Sequence, residues 1–373
     1  MYRYFLILTF FFAAVPTSAQ SGFEDEPALE ALLKRGVDYI YSGDLKRFDQ
    51  VAEQVRQMKP YHPVYPLLKA LAIRAANYPI SVSNSDFPRM RAYLEEVIDK
   101  SEVILDEDQD EPVANFFSLA AYGLLALYEN EAGNTFRAAG YAKEAYDFLK
   151  VGFDMKEQYN EFYFSSGIYN YYRVKYPELH PVYKSFTWFF RDGNLAIGLE
   201  QLDKAYLQSV FMRPESALYL MHIYLHYENL PLEALPYARQ MITDYPNNPM
   251  FSIGFLEASI ASELYADLSS HVKRLKNSPK LYFQMTGSLF EAMLLEKKDN
   301  RFGLAKRAYR QAIFKSRSMK SEDARHFRSY AYAGLARIAA QEEKHDDARA
   351  LYEDALAEAQ YPSIKAEAEA YLQ

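Results

Sequence analysis

His222-Ile-Tyr-Leu-His226 sets two imidazoles four positions apart, on one face of a helix, a spacing that can hold a metal ion. No glutamate follows His222, so the zinc-protease pattern is absent. The other histidines (His62, His180, His271, His326 and His345) are scattered along the chain, and the pair therefore reads as packed, hydrogen-bonded histidines with no metal. Asp106-Glu-Asp-Gln-Asp110-Glu begins like a calcium loop. Glu111, however, stands where the sharp turn needs glycine, and Phe117 where the closing bidentate carboxylate belongs, so the stretch reads as a solvated acidic turn. There is no Gly-x-Ser-x-Gly, phosphate loop or dinucleotide fingerprint, and the absence of cysteine removes a thiol nucleophile as well as disulfides. The reading is a chain without catalytic residues or cofactor.

What the sequence does concentrate is aromatic rings. Ser165 to Pro177, followed by His180 to Phe190, is the densest stretch. Phe164, Ile168, Tyr171 and Lys175 form one helical stripe, and Phe162, Tyr169, Tyr172 and Tyr176 another, so this helix must be covered on both sides. Most of these rings are expected in the core at an irregular turn. Tyr169, Tyr172, Tyr176 and Trp188 are the candidates to reach a groove and grip a ligand.

The elements that must position these rings are helices. Glycine is sparse, apolar residues recur at three and four, and no alternating strand pattern of useful length occurs. A register of small residues then repeats with steps of twelve, four and three: Gly36, Phe48, Ala52 and Val55; Ala126, Ala138, Ala142 and Ala145; Ala336, Ala348, Tyr352 and Ala355. Partial copies fall at Gly198, Leu202 and Ala205, at Ala234, Ala238 and Met241, and at Ala305, Tyr309 and Ala312. A small residue on one helix and another twelve positions later mark where two antiparallel helices come closest. Gly43 and Gly133 supply turns, while Pro60 and Pro246 end units. Gly167 is the close-approach residue of the aromatic helix, but its partner Gly198 lies far beyond a step of twelve, which implies an insert at about 177–194.

With this register the chain resembles the tetratricopeptide repeat (TPR) family, best at Leu335 to Leu356, where Glu343 replaces the usual turn glycine. Residues 160–250, with "RDGN" and "GLEQLDKAY", are more distantly similar to TPR proteins of the inclusion-body-clearance type. The resemblance implies an all-α fold, a right-handed α-α superhelix of about eight helix pairs whose concave groove binds a protein or peptide. Two pairs, near 63–106 and 250–277, match in apolar rhythm alone, and Ile364 to Leu372 reads as a C-terminal capping helix. The family's carboxylate-binding groove is not expected, because Ala333, Arg337, Leu33 and Val37 stand at its inward positions.

Residues 1–19 read as a signal peptide, with Arg3, an apolar run from Phe5 to Val15, Pro16 and a cut after Ala19. Residues 20–373 then form one repeat domain. Without cysteine there is no lipid anchor, and no Asn-x-Ser/Thr acceptor occurs, which points to a bacterial periplasmic protein with no integral membrane segment after cleavage. A net charge of −8 excludes a nucleic-acid partner. The alternative readings are an α/α-toroid carbohydrate enzyme and a glycan-binding module, against which stand the single tryptophan and the short turns.

Overall fold

The computed structural model describes residues 23, 26–80, 82–179, 190–319 and 321–373, and every regular element among them is helical. The first four pairs are α1 (Pro27–Ser42) with α2 (Leu45–Met58), α3 (Val64–Ala76) with α4 (Phe87–Glu107), α5 (Pro112–Glu131) with α6 (Thr135–Met155), and α7 (Phe162–Leu179) with α8 (Leu195–Gln208). The next four are α9 (Arg213–His222) with α10 (Pro231–Asp244), α11 (Pro249–Ala261) with α12 (Leu268–Lys276), α13 (Leu281–Lys297) with α14 (Phe302–Ser316), and α15 (Glu322–Gln341) with α16 (His345–Glu358). Between α9 and α10 the chain makes a π-helical turn, Ile223–Tyr227, and α17 (Pro362–Leu372) caps the array. Each helix packs on its neighbour in sequence, which is the expected TPR-like solenoid of eight pairs and a cap. The pairs legible only in apolar rhythm are α3/α4 and α11/α12.

Within several pairs one turn chemistry recurs. Gly43 N–H donates to Ile40 O and Asp44 N–H to Tyr39 O; Gly133 and Asn134 bond to Asn130 and Glu129 in the same way. This double bond satisfies the last carbonyls of the helix and requires a left-handed residue, φ 74° at Gly43 and 77° at Gly133. In the last pair Glu343 N–H bonds to Ala340 O and Lys344 N–H to Ala339 O, so Glu343 adopts φ 60° without being glycine. The family-like turn is kept there at the cost of backbone strain.

Gly36, Ala52, Ala138, Gly167, Gly198, Ala234, Ala305, Ala336, Ala348 and Ala355 are buried. Ala126 and Ala145 are only partly buried and Ala142 is exposed, since α6 packs along α5 and touches α7 only lightly. The tightest approach is α7 on α8. A Cβ on Gly167 would lie 2.9 Å from Gly198 O, and one on Gly198 would lie 2.7 Å from the backbone nitrogen of Tyr171.

The helix α7 continues through Pro177 to Leu179, so part of the expected insert simply extends α7. Of the remainder, Phe190 to Asn194 are described, whereas Tyr183, Phe186, Trp188 and Phe189 lie outside the described residues, as does the expected signal peptide.

Contacts between distant pairs cross the concave side and narrow the expected groove. The first two pairs fold back against first helices of the fifth to eighth pairs. Arg74 Nη1 donates to Glu215 Oε1 at 2.7 Å, and Tyr41 Oη to the same oxygen at 2.6 Å. Tyr245 Oη donates to Asp38 (2.8 Å), Asn248 Nδ2 to Tyr41 O (2.8 Å), Tyr78 Oη to Asp323 (2.8 Å), and Lys280 Nζ to the carbonyls of Ala76 and Tyr78. Tyr41 also packs on the Tyr245 and Phe251 rings. These bonds span up to two hundred and more positions of sequence, and together they turn the groove into a chamber.

Candidate functional site

The chamber has a volume of about 630 Å³ and is walled by residues of α1, α3, α7, α9, α11, α13 and α15. Its lining is chiefly apolar and aromatic, with Tyr78, Tyr172, Tyr219, Tyr282, Phe283 and Tyr361 among the rings. Arg74, Glu215, Lys280 and Asp323 are its charged groups, alongside the histidine cluster described below. Concave, mostly apolar sites with a few convergent polar groups are the usual form of ligand pockets.

Its charged groups are largely committed to holding the walls. Burial would lift the Glu215 carboxyl, but the Arg74 charge and the hydrogen bonds from Arg74 and Tyr41 more than offset this and hold it below the usual carboxylate range. Asp323, buried beside the Tyr78 hydroxyl, is pushed up by desolvation.

At one wall the histidines meet. The π-helical turn carries His226, whose ring centroid lies 4.7 Å from that of His222 and 4.5 Å from that of His326 on α15. Tyr361, just before the cap, stacks on His226 at 4.8 Å and meets His326 edge-on at 4.7 Å. Glu257 of α11 completes the group, with His226 Nε2 to Glu257 Oε2 at 3.7 Å and His326 Nε2 to Glu257 Oε1 at 3.5 Å. His226, Glu257 and His326 are only 5%, 7% and 4% exposed. Yet His226 Nδ1, Glu257 Oε1 and His326 Nε2 have no hydrogen-bond partner.

His326 is remote from His222 and His226 in sequence but beside them in space, and His226 keeps a buried nitrogen without a hydrogen bond. Nothing in a single sequence pairs His226 with His326 a hundred positions later or adds Glu257, because each is an isolated residue on its own helix. The nearest signal was the His222/His226 spacing. π-helical turns occur frequently at functional sites, and this one bears a member of the cluster.

Burial keeps the imidazoles neutral: it lowers His326 to about 3, and burial followed by the nearby His326 lowers His222 to about 3. His226 is driven well below the ordinary histidine value by burial, against the opposing pull of Glu257. Burial raises the Glu257 carboxyl, which His226 and the Tyr330 hydroxyl partly counter.

The ring candidates separate. Tyr172 lines the chamber and packs edge-on against Tyr171, Tyr219 and Tyr227, its hydroxyl raised by burial. Tyr169 does not reach it. Its hydroxyl donates to Arg191 O at 2.6 Å and its ring packs on Phe153 and Tyr146, so it fastens the turn after α7. Tyr176, 42% exposed near the end of α7, is not among the lining residues. Trp188 lies outside the described residues. The acidic stretch forms the turn before α5, with Glu111 capping that helix by accepting from Ala114 N–H. Arg337 is held by Glu296 (2.6 Å) and Glu367 (2.7 Å).

No family model matches the chain, and no curated protein matches it. Among solved structures it is similar to the yeast Tom70 crystal structure, at 13% identity over 93% of this chain and 89% of that one, with a TM-score of 0.36. No helix among the described residues is long and apolar enough to cross a membrane.

Proposed function

We propose that this protein is a non-enzymatic periplasmic scaffold that binds a protein partner by taking a short peptide segment into its central chamber. The observation that carries this reading is the chamber itself, about 630 Å³ of mostly aromatic and apolar wall, partly closed over by the docking of the first two pairs on the later ones. That size lies within the range of sites for drug-sized ligands, so it admits a few residues of a chain and excludes a folded domain. Lining rings such as Tyr78 and Tyr172, both partly buried, favour an apolar or aromatic side chain as the inserted group, since aromatic surface gains both from area burial and from ring geometry. The periplasmic setting rests on the leader-like residues 1–19.

Panning a random peptide library against the full purified chain tests the proposal. Enriched peptides should bind the wild type and lose at least tenfold in affinity for Ala75→Trp, which places an indole in the chamber from α3. The reading fails if nothing is enriched, or if Ala75→Trp, folded by circular dichroism, binds the same peptides equally well.

A further inference from the structure

We propose that His226, His326 and Glu257 hold a divalent first-row transition-metal ion at the wall of the chamber, with its remaining coordination positions open to the interior. Two imidazoles and one carboxylate are a donor set suited to zinc and to ferrous iron, and sites that leave positions vacant for a further ligand use three such groups. One donor atom from each residue lies within 4.8 Å of the other two. The spacing is informative. At 3.5 and 3.7 Å the nitrogen–oxygen gaps are too long for hydrogen bonds. They are close to the roughly 3.3 Å that separates two ligands of a tetrahedral ion with bonds near 2.0–2.1 Å.

A second, independent observation points to a missing partner. Each of the three residues is more than nine-tenths buried and keeps a polar atom without a hydrogen bond, a state that folded proteins rarely tolerate. One cation among the three side chains satisfies Glu257 Oε1 and His326 Nε2, with His226 ligating through Nε2, the nitrogen that faces Glu257. The surroundings fit ligation as well: Tyr361 stacks on His226, and the Tyr330 hydroxyl interacts with the Glu257 carboxylate. His226, His326 and Glu257 all line the chamber, so an ion there would face whatever enters it. This inference concerns the ion alone and stands whether or not the chamber takes a peptide.

The test uses the full chain stripped with chelator, then titrated with Co(II) and, in competition with a chromophoric chelator, with Zn(II). The expected result is one ion per chain, with visible Co(II) absorption bands of a nitrogen- and oxygen-ligated low-coordinate ion. His326→Ala and Glu257→Gln should each weaken Zn(II) binding at least a hundredfold, while His222→Ala, which removes the sequence-adjacent imidazole but no member of the triad, changes it by less than threefold. Absence of stoichiometric Co(II) and Zn(II) binding by the wild type overturns the proposal without recourse to any variant. So does binding that His326→Ala and Glu257→Gln, both folded by circular dichroism, leave unchanged, or that His222→Ala abolishes.

Discussion

Replacing Gly198 by alanine tests the helix-pair register at its tightest point. The new Cβ would stand 2.7 Å from the Tyr171 nitrogen and 2.9 Å from Gly167 O, and neither backbone atom can rotate away as a side chain would. Ordinary contact begins near 3.4 Å, so α7 and α8 must separate by roughly 0.7 Å or tilt apart. Overpacking of this kind costs about 1–3 kcal/mol, whereas exchanging glycine for alanine inside a helix recovers about 1 kcal/mol. The expected net loss is up to about 2 kcal/mol. Gly140, in α6, is exposed and has nothing within 4 Å of its Cβ position, so there the propensity term acts alone. Gly140→Ala should therefore gain about 0.5–1 kcal/mol. Urea titrations followed by far-ultraviolet circular dichroism read both as midpoint shifts of opposite sign. Shifts in the same direction would refute the claim that α7 and α8 touch backbone to backbone. The consequence reaches the chamber, because α7 also sets the position of Tyr172.

Glu343→Gly should stabilise by about 1 kcal/mol, since it removes a side chain from a left-handed turn residue whose hydrogen bonds are backbone only; an unchanged or lowered thermal midpoint would contradict this. Arg74→Met, which strands Glu215 in the interface between the first and later pairs, should cost about 3 kcal/mol. Arg74→Met combined with Glu215→Leu should cost clearly less than the sum of the singles, and additive losses in a double-mutant cycle would deny the coupling. His62 accepts a hydrogen bond from Val64 N–H on Nδ1, and burial, then Lys59, lowers it to about 4. The unfolded chain, with an ordinary histidine near 6.5, binds the proton first, so this contribution is complete above pH ~6.5 and is lost as pH falls toward ~4. The loss is at most about 3 kcal/mol. His62→Gln should flatten the stability slope in that window, and an unaltered slope would show that the proton goes elsewhere.

Local rules fixed the scaffold. Gly167 and Gly198 announced a backbone contact because only residues without a side chain let two helices approach so closely, and the structure puts them there. Gly43, Gly133 and even Glu343 lie at turns whose bonding involves residues five apart, so the eight pairs and the capping helix could be counted from spacing alone. The third pair is the exception: Ala126 and Ala145 are partly buried and Ala142 is exposed, since burial there depends on a neighbour beyond the pair. Which rings face inward was less legible: Tyr169 and Tyr172 sit on the same stripe of one helix, yet the first meets Arg191 in the following turn and the second meets α9.

The chamber and its histidine cluster were decided by tertiary structure. A solenoid's curvature accumulates from small rotations between successive pairs, and no local signal records that their sum brings Arg74 onto Glu215, Tyr78 onto Asp323, or His226 onto His326. The residues that make those contacts look ordinary in their own helices. Sequence spacing determines how each helix meets the next, because that contact repeats every turn; what meets across the centre depends on the whole path of the chain.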